Sequence, residues 1–528
     1  MNPDLIKISQ LSRQAAQRKN WPMVSEGAAR FIALAPELPE GYFLNGIALR
    51  AGGDLQSAVE NFEQSLNLDS ARYDAAIELA SIAVELPDAD RAVALLQQYA
   101  PALTNSPKYL DMAGTAYAAL DLPDKAWPLY MRALELQPEI DLFRANLASC
   151  AVYLGKIDEA EALYRELLAK HPDHQRNHYH LSRLRTVKDD THIREMLTTL
   201  DRTRLPPERN VFLYFALGKE YEDLEDWRHA FNFFKRGGDA IRRVSRYSVE
   251  EDLSLIDTVL GTSTQDWLVD KAATTSDRTP VFVLGLPRTG STLTERIISS
   301  HSQVRSIGET RAIELSLKRL SGISSPDRMN PEMIKAAARQ APSKLADEYL
   351  KAVGYQLQRE PWFLEKLPYN FLYAGFISRA FPSARFVYVD RHPMDACFAM
   401  FKQVFTWAYQ FSYSLDDLAT YYTAHRRLLD YWRQHLSDQW ITVSYEAMVE
   451  DQESETRRLL NALGLDFEPQ CLDIQSNPAA STTASSVQIR EAVHTRSVGR
   501  WRNYAEELEP LRAKLEAAGL LASQPAAD

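Results

Sequence analysis

Residues 279–301 read TPVFVLGLPRTGSTLTERIISSH, and their order decides the architecture of the C-terminal half. TPVFVLGL is a short apolar run with Val and Phe, PRTGST a glycine-containing loop, and LTERIISSH a helical continuation. The order predicts strand, phosphate loop and helix. Gly285 and Gly290 keep the GxxxxG spacing of nucleotide triphosphatase loops, and Thr292 stands where such loops place a metal-binding hydroxyl. Ser291 occupies the place of their obligatory Lys, and the one cation inside the loop is Arg288, which disfavours a triphosphatase or a nucleotide kinase. The elements of an oxyanion site remain: backbone N–H groups from Thr289 to Thr292, a helix N-terminus, the Ser291 and Thr292 hydroxyls, and Arg288. A 5′-phosphate or related oxyanion is expected there.

Outward from this loop, WFLEK (362–366), RFVYVD (385–390) and WITVSYE (440–446) are further buried-strand candidates, with helical stretches between them. Strands alternating with helices predict an α/β domain with a mostly parallel sheet covered on both faces. Ligands of such sheets bind at the carboxyl ends of the strands. Pro287 to Thr292, Lys366, Arg391 and Tyr445 all fall there. Tyr445 and Glu446 either meet the ligand or cap their strand.

The first half carries a different signal. Ala58, Ala92, Ala126 and Ala160 are spaced by 34 residues throughout, and four positions further on stand Phe62, Leu96, Tyr130 and Tyr164. That is the tetratricopeptide period, and Val24, Ala28 and Trp21 extend it backwards. A small residue lets two antiparallel helices approach, and the aromatic or Leu one turn later fills the gap. Pro36, Ser70, Thr104, Pro138 and Pro172 mark the loop position, and Gly53 with Asp54, like Gly155 with Asp158, mark turns within helix pairs. After Pro172 the register slips, and Leu217, Gly218, Tyr221, Ala230 and Phe234 restate the template with a shift of two. The expected organisation is a tetratricopeptide (TPR) helical solenoid over 1–245, a helical linker over 246–278, an α/β domain over 279–515, and a tail over 516–528.

Composition bounds the rest. The 528 residues are 45% apolar and 25% charged, near the average for folded soluble domains. Sixty Lys and Arg against 71 Asp and Glu leave a net charge of −11, which disfavours a nucleic-acid-binding surface. Cys150, Cys397 and Cys471 are too few and too scattered for a disulfide framework or a Cys-based zinc site, so a reducing cytoplasm is expected. No stretch approaches the length of a membrane span and no signal sequence is evident. The acidic and His residues show no metal-ligand spacing.

The C-terminal motifs occur in a familiar order: LPRTGST…TERIISSH, GETR (308–311), EKLPYN (365–370), FPSARFVYVDRHPMDACFAMF (381–401), VSYEAMVED (443–451) and TASSVQIREAVHTRSVGRWRNY (483–504). From about residue 280 to 515 this resembles the sulfotransferases that use 3′-phosphoadenosine 5′-phosphosulfate (PAPS). It is particularly similar to bacterial proteins with N-terminal tetratricopeptide repeats and to the tyrosylprotein sulfotransferases. The resemblance implies a P-loop-like fold with PAPS as donor and no metal. It implies that Arg288, Thr289, Gly290, Ser291 and Thr292 form the 5′-phosphosulfate loop and that Arg391 binds the 3′-phosphate. Lys366 would neutralise the bridging oxygen of the leaving phosphate, Glu309 would be the general base, and Ser485 would assist the transferred group. Arg311 would orient the acceptor or hold Glu309 ionised, and Arg500 stands where the family has a phosphate-contacting Lys. One position departs: where a Ser usually follows the 3′-phosphate Arg by eight residues, this chain has Ala399. Such a hydrogen bond to a charged group is worth roughly 1.5 to 3 kcal/mol, so its loss weakens donor binding about ten- to a hundredfold.

Two function classes follow. The first is a PAPS-dependent sulfotransferase acting on a hydroxyl of a protein tyrosine, a carbohydrate or a small molecule, with an acceptor or partner protein recruited through the repeats. The second is an interaction protein whose repeats are active and whose nucleotide-binding domain is degenerate, as Ala399 suggests. Arg311, Lys318 and Arg319 either furnish a basic groove for an acidic tyrosine peptide or face solvent. Neither the acceptor nor the oligomeric state is written in the sequence.

Overall fold

The structure is a computed structural model; it describes residues 2–521 except 87, 274–275, 326–328, 406–407, 478 and 480–485. It forms two compact units, Met1–Cys150 and Ala151–Asp528.

The first unit is built of helix pairs: Pro3–Gln17 with Trp21–Leu34, Pro39–Ala51 with Leu55–Leu68, Tyr73–Glu85 with Ala89–Tyr99, and Pro107–Ala119 with Pro123–Leu136. The 34-residue register falls on the second helix of each pair. Ala58, Ala92 and Ala126 are fully buried, as are Phe62 and Leu96, with Tyr130 nearly so. The small residue on the facing helix is a steric requirement. A Cβ at Gly46 would stand 2.7 Å from the Phe62 ring, and one at Gly114 2.8 Å from Tyr130. Gly46→Ala therefore overpacks one repeat, and we expect it to destabilise this unit by about 1–3 kcal/mol. The check is a lowered denaturant midpoint for helix loss with the second unit's transition unmoved.

The second unit opens with the remaining repeat helices. Ala160 and Tyr164 are buried on Ile157–Lys170. The following helix, Gln175–Ser182, has 8 residues against 13 to 15 in the preceding ones that open a pair, and a longer connection leads to Thr191–Thr203. That shortened pair is the physical source of the register slip. Val211–Asp223 and Trp227–Val244 then restore the template, with Ala230 and Phe234 buried and a Cβ at Gly218 only 2.6 Å from the Phe234 ring. The division between the compact units thus falls inside the repeat array. The reason is a shared core: Tyr179, Met196, Leu213, Phe215 and Phe234 belong to the same apolar cluster as Phe282, Phe371, Tyr413 and Trp432. The segment 246–278 is helical at Val249–Thr262 and Gln265–Val269.

Five strands form one all-parallel sheet in the order β2-β3-β1-β4-β5. They are β1 (Thr279–Gly285), β2 (Val304–Ser306), β3 (Trp362–Lys366), β4 (Arg385–Asp390) and β5 (Trp440–Ser444). The strands read as continuous apolar runs because both faces are covered. Phe282, Leu284, Phe363 and Phe386 point into one core, while Val281, Val283, Leu364, Val387 and Val443 point into the other. Strand β2 leaves no signature in the sequence pattern. Three residues with an exposed Arg305 between Val304 and Ser306 carry too little periodicity to register. From β1 the chain runs to β2 at one edge, returns to β3 beside β1, and then crosses to β4 and β5 on the other side. The strand order reverses beside β1, and in open parallel sheets ligands bind at the carboxyl ends next to such a point. Among the described residues, no helix is long and apolar enough to cross a membrane.

Candidate functional site

The loop after β1 turns through backbone that a side chain rarely adopts. Arg288 has φ +69° and Gly290 φ +103°, and helix Ser291–Ser299 begins directly behind them. Gly290 is required twice over, by its φ and by Tyr445, whose ring lies 2.4 Å from where a Cβ would be. The Thr289 hydroxyl donates to the Leu286 carbonyl at 2.8 Å, which closes the turn. Thr289, Ser291 and Thr292 are buried at the N-terminus of the loop helix, the geometry of an oxyanion site.

Arg391, just past β4, ties this loop to the returning C-terminal segment. Its Nη1 donates to the Arg288 carbonyl at 2.7 Å and its Nη2 to the Ser497 carbonyl at 2.6 Å, and its guanidinium lies over the Tyr445 ring at 4.6 Å. Tyr445 thus props both the loop and Arg391, and Glu446 accepts from the His392 N–H at 2.9 Å. Arg288 itself donates to Gln488 at 2.6 Å. Burial, then the neighbouring charges of Arg183 and Arg391, push the Arg288 guanidinium down to about 10. Arg288, Thr292, Arg391, Tyr445, Gln488 and His494 line one cleft. Two buried polar atoms of its lining residues, Arg391 Nε and His494 Nδ1, have no hydrogen-bond partner among the described residues. An unpartnered guanidinium N–H of Arg391 beside Arg288 fits an anionic polar ligand.

A second cluster lies at the end of β3. Lys366 is 1% exposed and pairs with Glu309, while Glu295 of the loop helix stands 3.8 Å from its Nζ. The backbone supports this placement, since the Lys366 N–H donates to the Gly308 carbonyl at 3.0 Å. Burial raises the Glu295 carboxyl above its ordinary value, opposed by Lys366 and by the Ser306 hydroxyl, which donates to Glu295 at 2.7 Å. Sequence reasoning missed Glu295; its one signal was a carboxylate one turn after Ser291.

Strand alternation sends the neighbouring Glu365 to the opposite face, so it does not pair with Lys366. It is fully buried and accepts from Tyr349 at 2.6 Å and Asn370 at 2.7 Å. Burial pushes its carboxyl from 4.5 up to about 7, against the hydrogen bonds from Tyr349, Asn370 and Thr310. The folded chain therefore holds this proton to higher pH than the unfolded chain does. The associated stability is fully present below about pH 4.5 and is lost as pH rises through 7; the amount is roughly 3 kcal/mol. Raising the pH from 5 to 8 should lower the wild-type thermal midpoint of the second unit more than that of Glu365→Gln. Parallel pH profiles of the two proteins would refute this ionisation.

Other expected residues lie elsewhere. Arg311 is mostly exposed and engages Glu314 at 3.0 Å, so the cation facing Glu309 is Lys366. Lys318 lies 3.5 Å from Glu314 and Arg319 3.7 Å from Glu348, so each member of the expected basic groove has a carboxylate beside it. Arg500 places its Nε 3.3 Å from Glu222, a buried carboxylate on Val211–Asp223 that also binds Lys402. Neither Glu222 nor Lys402 stood out in the sequence, because their meaning depends on one another across 180 residues. Ser485 lies outside the described residues. His301 accepts a structural role, with Nε2 2.9 Å from the Asp466 carbonyl, and His425 is fully buried among Phe371, Tyr388 and Tyr422. Among the described residues no cluster of His, Cys, Asp or Glu has the arrangement of a metal site.

Comparison with known proteins agrees with this layout. Residues 280–469 match the sulfotransferase family, and residues 43–107, 112–175 and 146–185 match the tetratricopeptide repeat. An uncharacterized protein of Aquifex aeolicus (strain VF5) is 26% identical over 366 residues, covering 68% of this chain and 48% of that protein. The chain thus spans about half the length of that relative. A putative protein-tyrosine sulfotransferase of Caenorhabditis briggsae is 24% identical over 226 residues, 42% of this chain and 80% of that one. Among solved structures, the sulfotransferase domain of the Synechococcus PCC 7002 olefin synthase aligns at 18% identity with a TM-score of 0.34, covering 48% of this chain and 98% of that domain.

Proposed function

We propose, from a sulfotransferase-family segment at residues 280–469 that follows tetratricopeptide repeats, that this chain transfers a sulfuryl group from PAPS to an acceptor hydroxyl. The observation that carries the reading is the buried Lys366, paired with Glu309 at the carboxyl end of β3 and facing Glu295 of the phosphate-loop helix. A cation and a base in contact, one strand away from an oxyanion loop, are the parts that in-line transfer between two oxygens needs.

The donor, when bound, supplies the sulfuryl group and a phosphate leaving group. The loop residues Arg288, Thr289, Gly290, Ser291 and Thr292 would hold its 5′ end, and Arg391, propped by Tyr445, its 3′-phosphate. The orphaned Arg391 Nε and His494 Nδ1 support that fit. Glu309 accepts the acceptor's hydroxyl proton. Lys366 turns from Glu309 toward the oxygen on which negative charge collects. Ser485 and Arg500 complete the proposed set, and Arg311, exposed at the mouth, meets the acceptor.

Functionally, we assign residues 1–245 to recruitment of an acceptor or partner protein and 279–515 to transfer, with 246–278 as their helical connection. The three free, buried cysteines support a reducing compartment such as the cytoplasm.

The test is calorimetry with 3′-phosphoadenosine 5′-phosphate, followed by incubation of the chain with sulfur-labelled donor and a cell extract. Binding with label on a specific macromolecule is the expected result. No binding at millimolar ligand would overturn the reading and favour an interaction protein with a degenerate domain.

A further inference from the structure

One turn position recurs through the helical repeats at the spacing of their register. Lys19, Gly53, Asp121 and Gly155 are separated by 34 residues or a multiple of 34, and each lies just past the first helix of its pair. All four have left-handed backbone, with φ +57°, +84°, +59° and +74°. Glycine is therefore no general requirement of this turn, since Lys19 and Asp121 adopt it too. The surroundings differ. A Cβ at Gly53 would meet nothing within 4 Å, whereas one at Gly155 would overlap the Arg490 side chain from Cδ to Cζ.

Arg490 belongs to the C-terminal segment that returns along the nucleotide cleft. Helix Asp141–Leu154, which ends at Gly155, has no basic residue in its last turn. Its end closes with the Lys156 N–H donating to the Ala151 carbonyl at 2.8 Å and the Gly155 N–H to the Val152 carbonyl at 3.1 Å, a Schellman arrangement that does not use the Tyr153 carbonyl. Arg490 Nη2 donates to that carbonyl at 3.1 Å and so brings a cation to the carboxyl end of the helix, where positive charge is favoured. Two residues before Arg490, Gln488 accepts from Arg288 at 2.6 Å; seven residues after it, the Ser497 carbonyl accepts from Arg391 at 2.6 Å. Ile489, Glu491, Val493 and His494, between those two contacts, line the cleft together with Arg288, Thr292 and Arg391. This wall is thus held near its ends by the two arginines of the phosphate side and, at Arg490, by a repeat turn.

We propose that Arg490, seated on Gly155, latches this wall of the nucleotide cleft to the turn between helices Asp141–Leu154 and Ile157–Lys170, so that a helical repeat places residues of the donor site. Arg490 does not itself line the cleft, and it acts through Gln488, which holds Arg288. Arg490 and Gly155 are therefore positioning residues. Released from the turn, the wall populates other arrangements, and apparent affinity falls with the fraction that stays competent. One charge-assisted hydrogen bond is lost while the contacts at Gln488 and Ser497 remain, so the expected loss is about tenfold. The nucleotide readout rests on the proposed donor class.

The experiment measures binding of 3′-phosphoadenosine 5′-phosphate by calorimetry on the full chain, with folding of each variant checked by circular dichroism. The proteins are wild type, Arg490→Met, Arg490→Lys, Gly155→Asn, Gly53→Asn, and Arg490→Met combined with Gly155→Asn. Asn tolerates left-handed backbone, so Gly155→Asn displaces the guanidinium with little strain, and Gly53→Asn makes the same change at a turn where nothing is crowded. Arg490→Met and Gly155→Asn should each weaken binding about tenfold, and their combination should weaken it no further, because both break one contact. Arg490→Lys, which keeps the charge and a donor, and Gly53→Asn should stay within about threefold of wild type. Without nucleotide, amide exchange in residues 486–497 should quicken in Arg490→Met and Gly155→Asn and not in Gly53→Asn. A folded Arg490→Met chain that binds as wild type does, or equal affinities of Gly155→Asn and Gly53→Asn, overturns this inference alone. Absence of any binding by wild type at millimolar nucleotide overturns it together with the proposed function.

Discussion

Lys366→Met is expected to lower the rate of sulfuryl transfer by about 10²–10³-fold, the cost of removing one preorganised charge-stabilising donor from a water-excluded site. The side chain is of similar length and apolar, and Lys366 is 1% exposed, so packing is kept while the charge is lost. Glu309 and Glu295 then both lose their shared cation. The loss should therefore fall on kcat, measured with sulfur-labelled donor and the acceptor identified from extract. Affinity for 3′-phosphoadenosine 5′-phosphate should change far less, because the loop and Arg391 are untouched. A folded Lys366→Met chain with more than a tenth of wild-type kcat would remove Lys366 from the chemistry and return it to the role of a buried ion-pair partner.

The second large effect is expected at Glu309. Glu309→Gln keeps the shape and an acceptor oxygen for Lys366 but cannot take a proton, and general-base contributions are typically 10²–10⁴-fold. Transfer should fall by about that factor. Nucleotide binding should stay within about threefold. Because Glu309 is 34% exposed at the mouth of the cluster, the substitution leaves the buried core intact. A variant that lost nucleotide affinity and kcat together would indicate that Glu309 serves mainly to hold Lys366. A variant with unchanged kcat would pass the base role to another group, of which Glu295, with its carboxyl raised by burial, is the neighbour within reach of the same lysine.

These two predictions concern residues whose placement was readable from local order. A charged residue ending an apolar strand, as Lys366 ends β3, is delivered to the carboxyl edge of a parallel sheet by the topology alone. The loop was legible for the same reason, since GLPRTGST joins a strand to a helix and its conformation is decided within a few residues. What could not be read locally were the partners. Arg311 is two residues from Glu309 and was expected to serve it, yet the helix starting at Ala312 turns Arg311 outward to Glu314, one turn along. Lys366 is 57 residues away and sits against Glu309 because β3 and the segment after β2 run side by side.

The repeats teach the same lesson at a larger scale. A 34-residue period with small and aromatic residues in fixed register determines helix pairs by itself, because each contact spans a single turn or a single pair. Gly46 under Phe62 and Gly218 under Phe234 are both such contacts. Where the array stops being an independent solenoid depends on which apolar faces find a common core. Tyr179, Phe215 and Phe234 share theirs with the residues packed on the sheet. By itself, then, the sequence determined the helix pairs, the strand–loop–helix order of residues 279–301 and the strand-end lysine, all products of short-range sterics and periodicity. Only the tertiary structure decided that Glu295 joins Glu309 at Lys366 and that Glu222 of the repeats gathers Lys402 and Arg500, because ion pairs across 57 to 278 residues exist only once packing has closed the intervening chain.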